Sequence, residues 1–295
     1  MPAMNEAPAM PHNPCATCGA CCRSYIVPVS GYDIWLISSR QRLSPEQFLV
    51  ACPQAEPGLD GFHLDHESPA FGLALDKRGA FEPTKPCVFL VQLGGDHARC
   101  GVYDHRPAVC RAYPMSIWQQ QVRFMDNILC PPNSWSEDEV RRPSWRASMQ
   151  RLYMHLDIYH EVVARWNARV ARASQDAEFT LHEYFSYLMN VYDRLFVLES
   201  EVGDEAMAHI QANWPTSPRP DIDPETAQEQ RAHIPWVDYL LASREMIDQF
   251  YPEIAPQPVI AFVASESKAV TSKLPSELAA NRQEASRLTR KKAAP

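Results

Sequence analysis

The hydrophobic pattern of the chain changes period twice, and each change marks a different kind of structure. Ser30 followed by Asp33 forms a capping-box start for GYDIWLISSRQRL, in which Ile34 and Ile37 share a face, so a short helix is expected there. A second start follows at Ser44, with Pro45 at the first helical position and Gln47 at the third. It predicts another helix through Phe48, Leu49 and Val50, ended by the Pro/Gly-bearing stretch 53–61. Over residues 62–103 the period shortens to two. Phe71, Leu73 and Leu75 alternate before a turn at 76–79, and CVFLVQL and RCGVY flank Gly94, Gly95 and Asp96. This reads as a β-hairpin with a Gly-rich loop that carries Cys87 and Cys100 onto neighbouring strands. Asp104 then precedes HRPAVCRAYPM, one or two helical turns that carry Cys110 and stop at Pro114.

From Ser144 the period lengthens for good. Trp145, Met149, Leu152, Leu156, Tyr159, Val163, Trp166 and Val170 recur at alternating steps of four and three, with no Gly or Pro among them. They define a long amphipathic helix. Thr180 with Glu183 is a further capping box, opening a helix through Leu181, Phe185, Leu188, Tyr192 and Leu195. The two are expected to pack as an antiparallel hairpin. Tyr153, Tyr159, Trp166, Tyr184, Tyr187 and Tyr192 read as core residues. Five prolines between Pro215 and Pro235 mark an irregular connection, and a last helix is expected over 236–251.

Composition narrows the class. With 295 residues, 45% hydrophobic and 22% charged, the chain can bury a sizeable core and is not a disordered polymer. Its net charge of −8 disfavours general nucleic-acid binding, which needs a basic surface to neutralise phosphates. No apolar run approaches the roughly 20 residues of a membrane span; PVIAFVA, at 258–264, is the longest evident one. The last thirty residues hold seven basic and three acidic side chains and read as a solvated, disordered tail. The opening MPAMNEAPAMPHNP has no basic start, apolar core or cleavage signal, so a cytoplasmic protein with reduced thiols is expected.

That expectation gives the nine cysteines their meaning. None lies beyond Cys130. CATCGACC sets Cys15, Cys18 and Cys21 three apart with Cys22 adjacent, and two intervening residues are enough for a chain to turn back and present two sulfurs to one metal. The run matches the first three ligands of a bacterial-type iron–sulfur sequence, and Cys130, followed by Pro131 and Pro132, resembles its fourth. Four thiolates suit tetrahedral zinc equally well, and spacing does not separate the two metals. The candidate ligands are Cys15, Cys18, Cys21, Cys22, Cys87, Cys100, Cys110 and Cys130, forming two four-thiolate sites or one cluster plus spare thiols. In extended backbone the side chains of Cys21 and Cys22 would point apart. Cys52, near the end of a predicted helix, reads as a buried structural cysteine. Arg106, Arg111 and Tyr113 flank Cys110 and are candidate donors that tune the negative charge of the thiolates. His12, His97 and His105 read as loop or surface histidines.

CATCGACCR, KPCVFL, RCGVYDHRPAVCRAYPM and Cys130, in this order over about residues 14–132, resemble the CxxCxxCC zinc- or iron-chelating domain family, the YkgJ-like cysteine-cluster proteins. The helical part, with YHEVVARWN, looks like the C-terminal extension of some members. The resemblance implies that the eight motif cysteines are the metal-binding set. A related branch, the flagellin lysine methylases, adds protein methylation as an implied chemistry, although no Gly-rich nucleotide loop lies between strand and helix here.

Together these readings predict an α+β fold: an irregular cysteine-rich metal-binding domain with a β-hairpin and short helices, followed by an all-α helical region. The expected divisions are a disordered 1–14, the metal domain over 15–140, the helical domain over 141–264 and a disordered basic tail over 265–295. The leading function is that of a metal-cluster protein with a [4Fe–4S]-type centre and a redox or cluster-assisted role toward an unknown protein or small-molecule partner. Alternatives are a Zn2+ scaffold presenting a helical partner surface, and a cluster-dependent methyl- or group-transferase. The long helices would either cover the metal centre or form a homodimer face. No GxSxG, HExxH, P-loop or dinucleotide fingerprint is present.

Overall fold

In a computed structural model, which describes residues 15, 18–56, 58, 60–78, 85–94, 97–118, 121–135, 143–215 and 235–250, a single helical turn precedes the first capped helix. These are α1 (Ala20–Ser24) and α2 (Gly31–Gln41). The capping box closes in both directions: the Asp33 amide donates to Ser30 Oγ at 3.3 Å, and the Ser30 amide donates to the Asp33 carboxylate at 3.0 Å. Ser44 also begins a capped turn, its amide donating to Gln47 Oε1 at 2.8 Å, but the turn covers only Pro45–Gln47. Leu49–Pro53 then runs as strand β1 against β2 (Phe71–Leu75), antiparallel, with Leu49 opposite Leu75. The helix expected through Val50 is therefore a strand. A short apolar run does not distinguish the two, and here pairing with β2, which buries Leu73 and Leu75, decides it. Cys52 moves with it and is half-buried on β1, not buried at a helix end.

The expected hairpin forms, shorter than its sequence pattern. Strands β3 (Leu90–Gly94) and β4 (His97–Cys100) pair with Leu90 opposite Cys100, so Cys87 lies just ahead of β3, bridged to Lys77. The turn carrying Cys110 is α3 (Ala108–Ala112). A further hairpin, β5 (Met115–Trp118) with β6 (Gln121–Phe124), was not expected, since the sequence between the two strands offers no Gly or Asn to announce it.

Four helices complete the described chain: α4 (Pro143–Arg172), α5 (Leu181–Val202), α6 (Asp204–Ala212) and α7 (Pro235–Phe250). The predicted stripe of α4 is buried at Trp145, Met149, Tyr159, Val163, Trp166 and Val170, but Leu152 and Leu156 are only half-buried. Met154, Ile158 and Val162 are buried as well, because α4 is packed on several sides, by α2, α3, α5, α6 and α7. The stripe is thus used within the chain. α4 and α5 meet through long aromatic side chains. Tyr187 Oη donates to the Val162 carbonyl at 2.9 Å, and the Trp166 ring lies 5.0 Å from Tyr184 and 5.3 Å from Tyr187. The helix that lies closest against α5 is α2, because Gly31 has no Cβ to meet the Tyr192 ring; a Cβ there would stand 2.1 Å from Cε2.

One continuous set of buried side chains joins the cysteine-rich and helical parts, from Val27, Ile37 and Phe48 through Trp166 and Leu188 to Trp214 and Ile247. Hydrogen bonds cross the same seam: Trp166 Nε1 to the His63 carbonyl at 2.7 Å, and Trp35 Nε1 to Asp193 at 2.7 Å. A buried ion pair fixes α7 on α4, with Arg165 Nε 2.5 Å from Asp248, and Arg165 also reaches Glu161 at 3.0 Å. Among the described residues no helix is long and apolar enough to cross a membrane. The expected loose segment 1–14, the loop residues Gly95 and Asp96, the proline-rich residues 216–234, the run at 258–264 and the basic tail lie outside the described residues.

Candidate metal centre

The CxxCxxCC run turns instead of extending. Gly19 has φ +68°, in the left-handed region, and a Cβ on it would lie 3.0 Å from the Ala98 Cβ, so both conformation and space require glycine. From Gly19 the chain enters α1, which makes Cys21 and Cys22 successive residues of a helical turn. Their side chains interact directly, whereas extended backbone would have sent them apart. The Cys22 carbonyl accepts the Cys87 amide at 2.8 Å, tying the first cysteine block to the second. Lys77 Nζ donates to the Arg23 carbonyl at 2.9 Å and Arg23 reaches the Gln92 side chain, so the run is also held against β3.

Beside α1 opens a cavity of about 390 Å³. Cys15, Cys18, Cys21, Cys22, Cys100, Cys110 and Cys130 line it. Cys87, the eighth candidate, stands buried behind the lining, within electrostatic reach of Cys100 and Cys21. Cys110 interacts with Cys21, Cys87 and Cys100, and Cys130 with Cys18 and Cys21. Cys21 belongs to both groups. All nine cysteines are free thiols, and Cys52 is not part of the lining. Among the described residues no three Cys, His, Asp or Glu side chains already stand at ligand spacing around one ion.

Burial raises the thiols. It pushes Cys87 up to about 11, and it raises Cys100, Cys110 and Cys130 as well. Cys21 is raised furthest, first by its hydrogen bond with Cys22 and then by burial. A soft cation would take the place of these protons, so thiol-rich lining and high proton affinity are two aspects of one site.

Between the sulfurs the wall is mostly apolar, with Ile26, Val27, Leu90 and Ala98, and no carboxylate lines it among the described residues. Arg106, 7% exposed, lies over the Tyr103 ring at 4.4 Å and favours the Cys100 anion. Tyr113 accepts the Leu129 amide at 2.7 Å and stands edge-on to Tyr25, and its hydroxyl favours the Cys130 anion. Arg111 points elsewhere. Its Nε donates to the Arg106 carbonyl at 2.8 Å and a terminal nitrogen to the Asp104 carbonyl at 3.0 Å, outside the cysteine lining. His97 is exposed and His105 half-buried, and neither lines the cavity.

Three contributors were not singled out in the sequence as parts of a site. Trp135 lines the cavity with Cys130, and its buried indole Nε1 has no hydrogen-bond partner among the described residues. Met149 and Tyr153, on α4, close one side of the cavity. Tyr153, expected in the core, packs half-buried against it and also forms this wall. The long helix thus covers the cysteine cavity.

Residues 14–131 match the model of the CxxCxxCC family, described as a zinc- or iron-chelating domain. The matched segment holds all nine cysteines and ends one residue past Cys130, so α4 to α7 lie outside it. No curated protein and no solved structure matches the chain. The thiol lining agrees with the matched domain: it offers a donor set for metal chelation, and the assignment of zinc or iron is common to both metals' chemistry.

Proposed function

We propose that the cysteines of residues 15–130 hold an iron–sulfur cluster of the [4Fe–4S] type, and that the protein performs electron transfer or cluster-assisted chemistry with a protein or small-molecule partner in the cytoplasm. The observation that carries this reading is the lining itself: among the described residues, seven thiols and no carboxylate surround one cavity of about 390 Å³. All-thiolate donor sets suit iron–sulfur clusters and zinc alike. Volume favours the cluster. A tetrahedral zinc lies about 2.3 Å from each sulfur, so four thiolates converge on a point and use little of such a space. A polynuclear group keeps its thiolates apart and fills it.

When bound, the cluster supplies one-electron redox chemistry or a Lewis-acidic iron. The chain's own residues set the conditions for it. Arg106 offsets negative charge near Cys100, while Tyr113 directs its O–H toward Cys130. Hydrogen bonds to sulfur and exclusion of solvent both tune a cluster's potential. Met149 and Tyr153 of α4 supply the exclusion on one side.

A zinc scaffold is the second reading, and the packing of α3 and β5 against α4 favours it, since an ion fixed at Cys110 would also fix the helical surface. The two separate in the visible spectrum of protein purified without oxygen. A cluster gives brown protein with charge-transfer absorption that bleaches on reduction with dithionite; colourless protein carrying zinc overturns the iron–sulfur reading.

A further inference from the structure

Two of the candidate ligands share a local device. At Cys87 and Cys100 the backbone N–H two residues on, of Phe89 and Val102, favours the sulfur anion. Donors of this kind stabilise the negative charge of a metal-bound thiolate. Cys130 cannot use the device. Pro131 and Pro132 follow it, and neither has an N–H to give. Tyr113 directs one donor to it, a hydroxyl. The chain after Cys130 brings back a second candidate.

The turn that follows is tightly closed. The Ser134 amide and hydroxyl both donate to the Pro131 carbonyl, at 3.2 and 2.7 Å. Asn133 takes the left-handed backbone, at φ 62°, which asparagine tolerates better than most residues. Trp135 is thereby returned to the cavity, where it lines the wall with Cys130. Its ring stands edge-on to Trp145, with centroids 5.8 Å apart at 74°, and Trp145 is itself fully buried at the start of α4. Trp135 Nε1 is buried and has no hydrogen-bond partner among the described residues. Native structures rarely leave a buried N–H in that condition unless an ion or ligand completes it. Cys130 is within reach of the indole, yet no hydrogen bond joins them, and a thiol sulfur is a weak acceptor. A thiolate held by a metal is deprotonated outright and accepts well.

We propose that Trp135 Nε1 donates to the Cys130 sulfur when that sulfur ligates the metal, so that Trp135 is a positioning residue of the centre and stands in for the N–H that Pro132 lacks. This role rests on the thiolate centre proposed above, and its redox consequence follows only where that centre is an iron–sulfur cluster. A hydrogen bond to a ligand sulfur favours the reduced, more negative state and so raises the potential.

Nuclear magnetic resonance of the isotope-labelled full chain tests the contact itself. The indole N–H resonance of Trp135 is identified by its loss in Trp135→Phe or, should that variant not fold, in Trp135→Tyr. It should move downfield when cadmium is added, a soft ion that takes thiolates without iron or sulfide. The indole N–H of Trp145, also buried without a partner but outside the cavity lining, should stay in place. In protein purified without oxygen, Trp135→Phe should shift the reduction equilibrium of the cluster about fivefold to tenfold toward the oxidised form, about 40–60 mV lower in potential. A Trp135 resonance that cadmium leaves unmoved, or equal potentials in wild type and Trp135→Phe, overturns the proposal. Zinc in the native protein would end the iron–sulfur reading alone, and the cadmium titration would still decide the role of Trp135.

Discussion

Asp33 serves two helices with one carboxylate. One oxygen closes the box on Ser30, and the other accepts the amide of Ala108, the first residue of α3, at 2.8 Å. Cys110 follows two residues later, so the side chain that starts α2 also sets where a metal-ligand candidate stands. Asp33→Ala leaves buried donors at both ends, and the expected loss is about 1–3 kcal/mol in a urea titration, accompanied by reduced bound metal. The partner at Ser30 is visible from spacing alone, but the partner at Ala108 is 75 residues away and no local rule announces it. The ligand set divides the same way. Four cysteine blocks identify themselves because thiols outside any apolar repeat have little structural reason to cluster, whereas Trp135 is a single aromatic with no motif around it. Cys21 interacts with both Cys110 and Cys130, and Cys52 stands apart on β1. Cys21→Ser should therefore abolish bound metal while Cys52→Ser leaves it unchanged; equal metal in the two purified variants contradicts the assignment.

At the scale of elements, α2 is the piece on which the others depend. Its first residue, Gly31, meets the Tyr192 ring of α5 at a distance that admits no Cβ, 2.1 Å from Cε2. Gly31→Ala would be favourable by helix propensity alone, yet overpacking should make it destabilising by about 1–3 kcal/mol, read from the urea midpoint. On its other side α2 meets α4, where Tyr32 stacks on His155 with ring centroids 3.9 Å apart. Burial first, and then the charges of Arg151 and Arg111, hold His155 well below 6.5. An imidazole kept neutral in the folded state stabilises the fold fully above its unfolded value and loses that contribution as pH falls below about 6.5 toward the folded value. Asp33 and Glu199 act in the opposite sense, since a raised carboxyl favours the folded state at lower pH. The variant comparison isolates the histidine: the stability gap between wild type and His155→Phe should narrow from pH 7.5 to pH 5.5 in urea unfolding. A gap that widens contradicts the buried neutral form. Sequence periodicity located α2, α4, α5 and α7 because each is long enough for its stripe to stand out. It misassigned β1 and overlooked β5 and β6, because four or five apolar residues take their form from a pairing partner, not from their own period.

Across the whole molecule, the cysteine-rich part and the helices share one core, and α4 both anchors that core through Trp166 and walls the cysteine cavity through Met149 and Tyr153. The change of chemistry near residue 140 was plain in the sequence, since no cysteine lies beyond Cys130. The packing across that line was not, because it depends on pairs such as Phe62 with Tyr184, stacked at 3.9 Å, and Trp166 with His63. Long-range partners of this kind leave no trace in local patterning. A helix along one wall of the cavity would join metal occupancy to the stability of the entire chain. Whether this cavity of thiols holds an iron–sulfur cluster is read from the stoichiometry of iron, acid-labile sulfide and zinc in the full chain purified without oxygen. Iron and sulfide are expected in equal amounts, about four of each per chain for one cluster of the [4Fe–4S] type, with little zinc. About one or two zinc ions per chain, without sulfide, would contradict it.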